Sequence, residues 1–213
     1  MGGIAGAFLG LVFLYVLAGK RSDVTTLILA GVAISTFSGA LMSLALNLAP
    51  SPYATLEILF WMMGSVADRS FDQVWVALPF MALGWMLLLS SGRGLDALSI
   101  GEGGARSLGV NLPALKFRVI LGTALAVGAA VSVTGAIGFV GLTVPHILRP
   151  FVGYQSSRLL LPSAFGGAVL LLAADVVVRA MPPGPELKLG VVTALVGAPF
   201  FVWLLLRLRG ETS

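Results

Sequence analysis

Few side chains in this chain can do chemistry, and the most informative are charged residues set in a short glycine-bounded island and near the end of one apolar run. Glu102 and Arg106 lie within Gly101-Glu102-Gly103-Gly104-Ala105-Arg106-Ser107-Leu108-Gly109, and Asp175 and Arg179 lie in an apolar run. The four-residue spacing of Asp175 and Arg179 puts them on one helix face, where they pair with each other or Arg179 is offered to a partner carboxylate, while Glu102 is by itself a helix N-terminal acid. Such residues bind and orient; they supply no nucleophile. His146, in Val-Pro-His-Ile-Leu-Arg, has neither a second histidine nor a G-x-S-x-G serine to work with. Neither H-E-x-x-H nor G-x-x-x-x-G-K-[ST] occurs, so no zincin centre and no P-loop is encoded. Lys20, Lys116 and Lys188 all lie at the ends of apolar runs, which argues against a retinal-type lysine in mid-span. There is no cysteine, hence no disulfide or thiolate ligand. The residues point to recognition rather than bond chemistry: no enzyme, no bound cofactor and no metal site are expected.

The elements that must position these residues are membrane helices. Of 213 residues, 58% are hydrophobic and 10% charged, and the mean hydropathy is +1.01. A soluble core of this size cannot hide so much apolar surface, so part of the solvent is lipid. The net charge of +4 is scattered and lacks interleaved aromatics, which fits basic residues retained on one membrane face and not a nucleic-acid surface. A span needs about 20 apolar residues, and the candidates are Gly2–Ala18, Leu27–Leu48, Gln73–Ser90, Val119–Ala136, Ile137–Leu148, Leu159–Val178 and Leu189–Leu206. The first is followed by Lys20-Arg21, the reverse of a signal-peptide order, so it reads as a true span ending on the cytoplasmic side.

The uncharged run Val119 to Leu148 is long for one helix and short for two. Charge arbitrates. If it makes two passes, turning near Gly135–Gly138, then Lys20, Arg21, Arg93, Arg106, Lys116, Arg118, Arg149, Arg158, Arg207 and Arg209 share one side, with Arg69, Arg179 and Lys188 opposite. A single pass gives a weaker asymmetry, so the positive-inside rule favours seven spans with Arg106 and the C-terminus in the cytoplasm. The fifth span is short and must be partly buried in protein. The chain is then one transmembrane domain, 1–213, with a cytoplasmic loop at 91–118. Segment Tyr53–Gly64, with Leu56, Leu59, Phe60 and Met63 at helical spacing, reads as an interfacial or re-entrant half-helix on the outer side. Gly2, Gly6 and Gly10, then Gly135, Gly138 and Gly141, then Gly166–Gly167 and Gly190/Gly197, are expected to be surfaces of close helix approach, within the bundle or at a subunit interface.

Four blocks carry a resemblance: Leu29-Ala30-Gly31-Val32-Ala33; Trp61-Met62-Met63-Gly64-Ser65; Gly101-Glu102 through Ala105 with Leu108-Gly109-Val110; and Gly135-Ala136-Ile137-Gly138-Phe139-Val140-Gly141-Leu142-Thr143-Val144-Pro145-His146-Ile147-Leu148-Arg149. With Leu160-Leu161-Pro162, Ala174-Asp175 and the stretch Gly190 to Phe201, the chain resembles, over nearly its whole length, the permease subunits of type II ABC importers serving iron–siderophores, haem and vitamin B12.

The resemblance implies an all-α helical bundle, aligned with the last seven of ten spans, in a bacterial inner membrane. It implies a homodimer or paired permease, with the path between subunits. A cytoplasmic ATPase dimer, which uses the ATP, would dock on paired short helices carrying Gly101, Glu102, Ala105, Arg106, Leu108 and Gly109. A periplasmic substrate-binding protein would meet Arg179. Trp61, Met62, Met63 and Gly64 would belong to the outer gate, and Gly197 with Pro199 would bend the last span beside the path. Lys188 stands where the family usually has proline after Glu186-Leu187 and would alter binding-protein contacts. His146 and Arg149 are implied to be structural. The three missing spans leave a second reading open, a transport-incompetent relic or scaffold that binds the ATPase alone.

Overall fold

The computed structural model describes residues 2–19, 24–180 and 187–210, and among these it contains helices and no strand. The helices are α1 (Gly2–Ala18), α2 (Val24–Asn47), α3 (Pro52–Met63), α4 (Phe71–Ser90), α5 (Gly92–Leu98), α6 (Glu102–Ser107), α7 (Leu112–Thr134), α8 (Val140–Leu148), α9 (Ser156–Arg179) and α10 (Leu189–Gly210), with a 3-10 turn at Arg149–Val152. Local chemistry sets several starts. Ser51 Oγ accepts the Ala54 N–H at 3.3 Å ahead of Pro52, and Asn111 Oδ1 accepts the Ala114 N–H at 3.1 Å ahead of Pro113. In both, a polar cap satisfies a free donor and the proline pre-sets the first turn. Helices α2, α4, α7 and α9 are each long and apolar enough to cross a membrane.

Helix α7 is the axis, and small residues let its neighbours come close. Gly84 of α4 faces Gly122 so tightly that an added Cβ would lie 2.6 Å from the Gly122 carbonyl oxygen. Gly128 receives Ala7 of α1, and Gly3 abuts Ser132. In a second group, Gly166 of α9 lies against Val144 and Leu148 of α8, and Gly197 of α10 lies against Phe139. Between lipid-embedded helices, this close contact replaces the hydrophobic drive available in water. Gly2, Gly6, Gly10, Gly138 and Gly141, expected on spacing to be contact glycines, have open space beside them within this chain.

The fifth crossing also differs in form. Its helix, α8, has nine residues, about 14 Å at the usual rise, and cannot span a bilayer. The chain leaves α7 through Gly135 at φ +72 and re-enters helix after Phe139 at φ +67. The irregular stretch 135–139 is covered by α3 and α10, so its backbone lies against protein, the condition under which non-helical chain is tolerated in a membrane protein. Lys20, Arg21 and Glu186, used in the sequence argument, lie outside the described residues.

Candidate functional site

At one end of the bundle, α5 and α6 form the pair of short helices expected between the spans. Gly101 allows the bend between them with φ +91, and Gly109 ends the second with φ +80. Val110 N–H donates to the Ala105 carbonyl, closing the turn after α6. The six residues expected here divide by environment. Ala105 is fully buried, so it packs the knob and is not on its surface. Leu108 is 64% exposed and Ile100 66%, and Arg106 is exposed too. Glu102 is turned inward: Oε1 accepts Lys116 Nζ at 2.8 Å, and Oε2 lies 3.6 Å from Arg106. Helix α7 begins at Leu112, so Lys116 and Arg118 belong to that helix and the loop proper ends at 111.

Asp96 of α5 was not singled out in the sequence. Its Oδ1 accepts the Ser157 N–H of α9 at 2.9 Å. The Ser157 side chain and backbone hold its carboxyl below the ordinary value of 3.8, with smaller help from the Ser156 backbone and Arg158 and some opposition from burial. It is therefore an anion at physiological pH. Its partner is 61 residues away, and no local spacing could have announced it.

At the opposite end, α3 is held by a backbone junction. Ala136 N–H donates to the Trp61 carbonyl (3.0 Å), Ser65 N–H to the Thr134 carbonyl (2.7 Å) and Gly190 N–H to the Gly64 carbonyl (3.3 Å). Gly64 is buried, whereas Trp61, Met62 and Met63 are exposed. Two cations straddle α3: Arg69 lies 5.2 Å from the Trp61 ring and Lys188 4.6 Å from the Phe60 ring. Lys188 is thus part of the α3 clamp. Arg179 Nε donates to Asp175 Oδ2 at 2.7 Å while its side chain remains 63% exposed, so the local ion pair still leaves it on the surface.

Between these ends, Phe139, Thr143, Leu170, Thr193, Val196 and Gly197 line a cavity of about 40 Å³. It is too small for a chelate and large enough for water. Gly197 is buried against the Phe139 ring, and α10 continues through an exposed Pro199. His146 meets Phe200 edge-on at 6.4 Å, a packing role. No group of His, Cys, Asp and Glu among the described residues could hold a metal.

Comparison with known proteins gives concordant results. The profile of the FecCD transport family matches residues 1–207. The chain is 43% identical over 206 residues to the vitamin B12 import system permease protein BtuC of Vibrio cholerae, covering 96% of this chain and 61% of that protein. It is 40% identical over 205 residues to the Fe(3+) dicitrate transport system permease protein FecD of Escherichia coli, covering 96% and 64%. A solved structure of a metal-chelate type ABC transporter in an inward-facing conformation superposes with a TM-score of 0.85 at 30% identity, covering 97% of this chain and 71% of that one. The chain spans about three fifths of the length of these curated relatives.

Proposed function

Given that this chain belongs to the FecCD transport family, we propose that it is a membrane-embedded permease subunit of an ABC importer for a metal chelate, with ferric complexes, haem and cobalamin as the substrate class. The observation that carries this is the knob of α5 and α6. It leaves Ile100, Leu108 and Arg106 exposed, yet is tied to α7 and α9 from within. An apolar pair kept exposed on a braced platform is suited to receive a push from a soluble partner. An ATPase dimer in the cytoplasm is that partner, and it hydrolyses the ATP. The C-terminus shares its side of a bacterial inner membrane. Two permeases, identical or paired, enclose the path, and alternating access carries the chelate inward. A substrate-binding protein docks at the opposite end, at Arg179 and beside Lys188, and α3 with Trp61, Met62, Met63 and Gly64 flanks the mouth.

The test is co-expression of the full chain with the ATPase subunit of the same importer. The two should co-purify from detergent, and Leu108→Glu should weaken capture about tenfold or more, the equivalent of losing about 1.4 kcal/mol of apolar contact. An ATPase that never co-purifies with the unaltered chain rejects the proposal.

A further inference from the structure

We propose that Asp96 is a positioning residue, a latch that joins the knob to α9 and delivers motion of the knob to α8, α9 and α10. The inference deepens the importer reading and rests on it. The first residues of a helix carry N–H groups with no intrahelical acceptor and the positive end of the dipole. At the start of α9 the residue in the cap position, Gln155, contributes no side-chain bond. Asp96 supplies that bond from α5, and its carboxylate is the favourable charge for that end.

The packing around it leaves α5 little freedom. An added Cβ on Gly92 would lie 3.1 Å from Ser157 Cβ, and one on Gly94 would lie 2.7 Å from a methyl of Leu115. Helix α5 is therefore wedged between the starts of α9 and α7. The knob thus has two separate polar attachments. Glu102 ties α6 to Lys116 of α7, which packs with α1 and α4. Asp96 ties α5 to α9, which packs with α8 and α10. Displacing the knob loads both helix groups at once, and without Asp96 the second group loses this polar tie to α5.

The chain has no cysteine, so a spin-label pair at Ser99→Cys and Leu161→Cys, placed in one permease of an importer whose other subunits carry no reactive cysteine, reports the distance between the end of α5 and α9. The expected result is one narrow distance population in the parent, a broadened one in Asp96→Ala, and a narrow one again in Asp96→Asn, whose amide oxygen accepts the same N–H. In proteoliposomes, Asp96→Ala should lower chelate carried per ATP hydrolysed by about five-fold or more, the lower end of ordinary coupling energies. ATPase capture should be unchanged, and Asp96→Asn should restore the ratio. Gly92→Ala, which presses a methyl onto Ser157, loosens the same joint by another route and serves if Asp96→Ala does not fold. An unaltered distance distribution, or unaltered transport per ATP in a variant whose distances broaden, overturns the latch. A parent complex that shows no ATP-driven uptake overturns the importer reading instead, and the distance arm still decides whether Asp96 holds α5 to α9.

Discussion

Alanine at Gly64, Gly135 or Gly190 should leave little or no folded protein in the membrane. These glycines sit where α3, α7 and α10 meet backbone to backbone. A methyl on Gly190 would overlap the Met63 carbonyl oxygen, and one on Gly64 the Ala136 carbonyl oxygen. One on Gly135 would lie 2.5 Å from the Trp61 carbonyl oxygen. Backbone cannot turn aside as a side chain can, so the junction must separate and its three hydrogen bonds with it. Gly64 and Gly135 also hold φ +60 and +72, where a Cβ adds strain. Each substitution should cost about 3 kcal/mol or more, seen as loss of the monodisperse peak and of the melting transition in detergent. Gly103→Ala and Gly141→Ala are the controls. Both sites are helical with nothing within 4 Å, and alanine there should be neutral or stabilising by up to about 1 kcal/mol. A Gly190→Ala protein that melts like its parent would show that the junction is not tight. The same bonds bear on the mouth proposed above: with α3 tied by backbone to the ends of α7 and α10, it is expected to move with them and not as a free flap.

Reversing Glu102 to lysine should cut transport per ATP about tenfold or more, within the range of ordinary coupling energies. Glu102 is only 28% exposed and its partner Lys116 only 17%. Three cations would then crowd one corner, and α6 would swing away from α7. Glu102→Gln should do less, because a neutral oxygen can still accept from Lys116. The double variant Glu102→Lys with Lys116→Glu separates two roles. Recovery in the double variant assigns Glu102 to bracing the knob from within. Recovery of neither transport nor ATPase capture assigns it to direct contact with the partner, the role suggested by resemblance.

Much of the helix plan was legible because lipid imposes long apolar runs. Gly2–Ala18 is a helix with the bounds read, though shorter than the four helices among the described residues that are long enough to cross a membrane. The helix at Tyr53 was announced by the helical spacing of Leu56, Leu59, Phe60 and Met63. The short helices of the knob were legible only by resemblance, since seven and six residues carry too little periodicity. The short fifth crossing was visible as an awkward run length, but its form was not. A run of apolar residues does not say which of them leave the helix, and Phe139 in a left-handed conformation has no local signature. Glycine spacing did not say which glycines pack within the chain: Gly3 does and Gly6 and Gly10 do not, because spacing defines a face, while contact depends on which way that face points. Asp96 and the Gly64–Gly135–Gly190 junction are long-range features, made by segments whose meeting depends on the whole bundle.

The most direct measurement is ATP-driven uptake by proteoliposomes holding this subunit with its ATPase, with binding protein loaded with labelled cobalamin or ferric citrate outside. The account predicts accumulation that requires ATP and binding protein and falls in Glu102→Lys. ATPase capture without any accumulation of either chelate would contradict it and would leave the chain a scaffold that binds the motor but moves nothing.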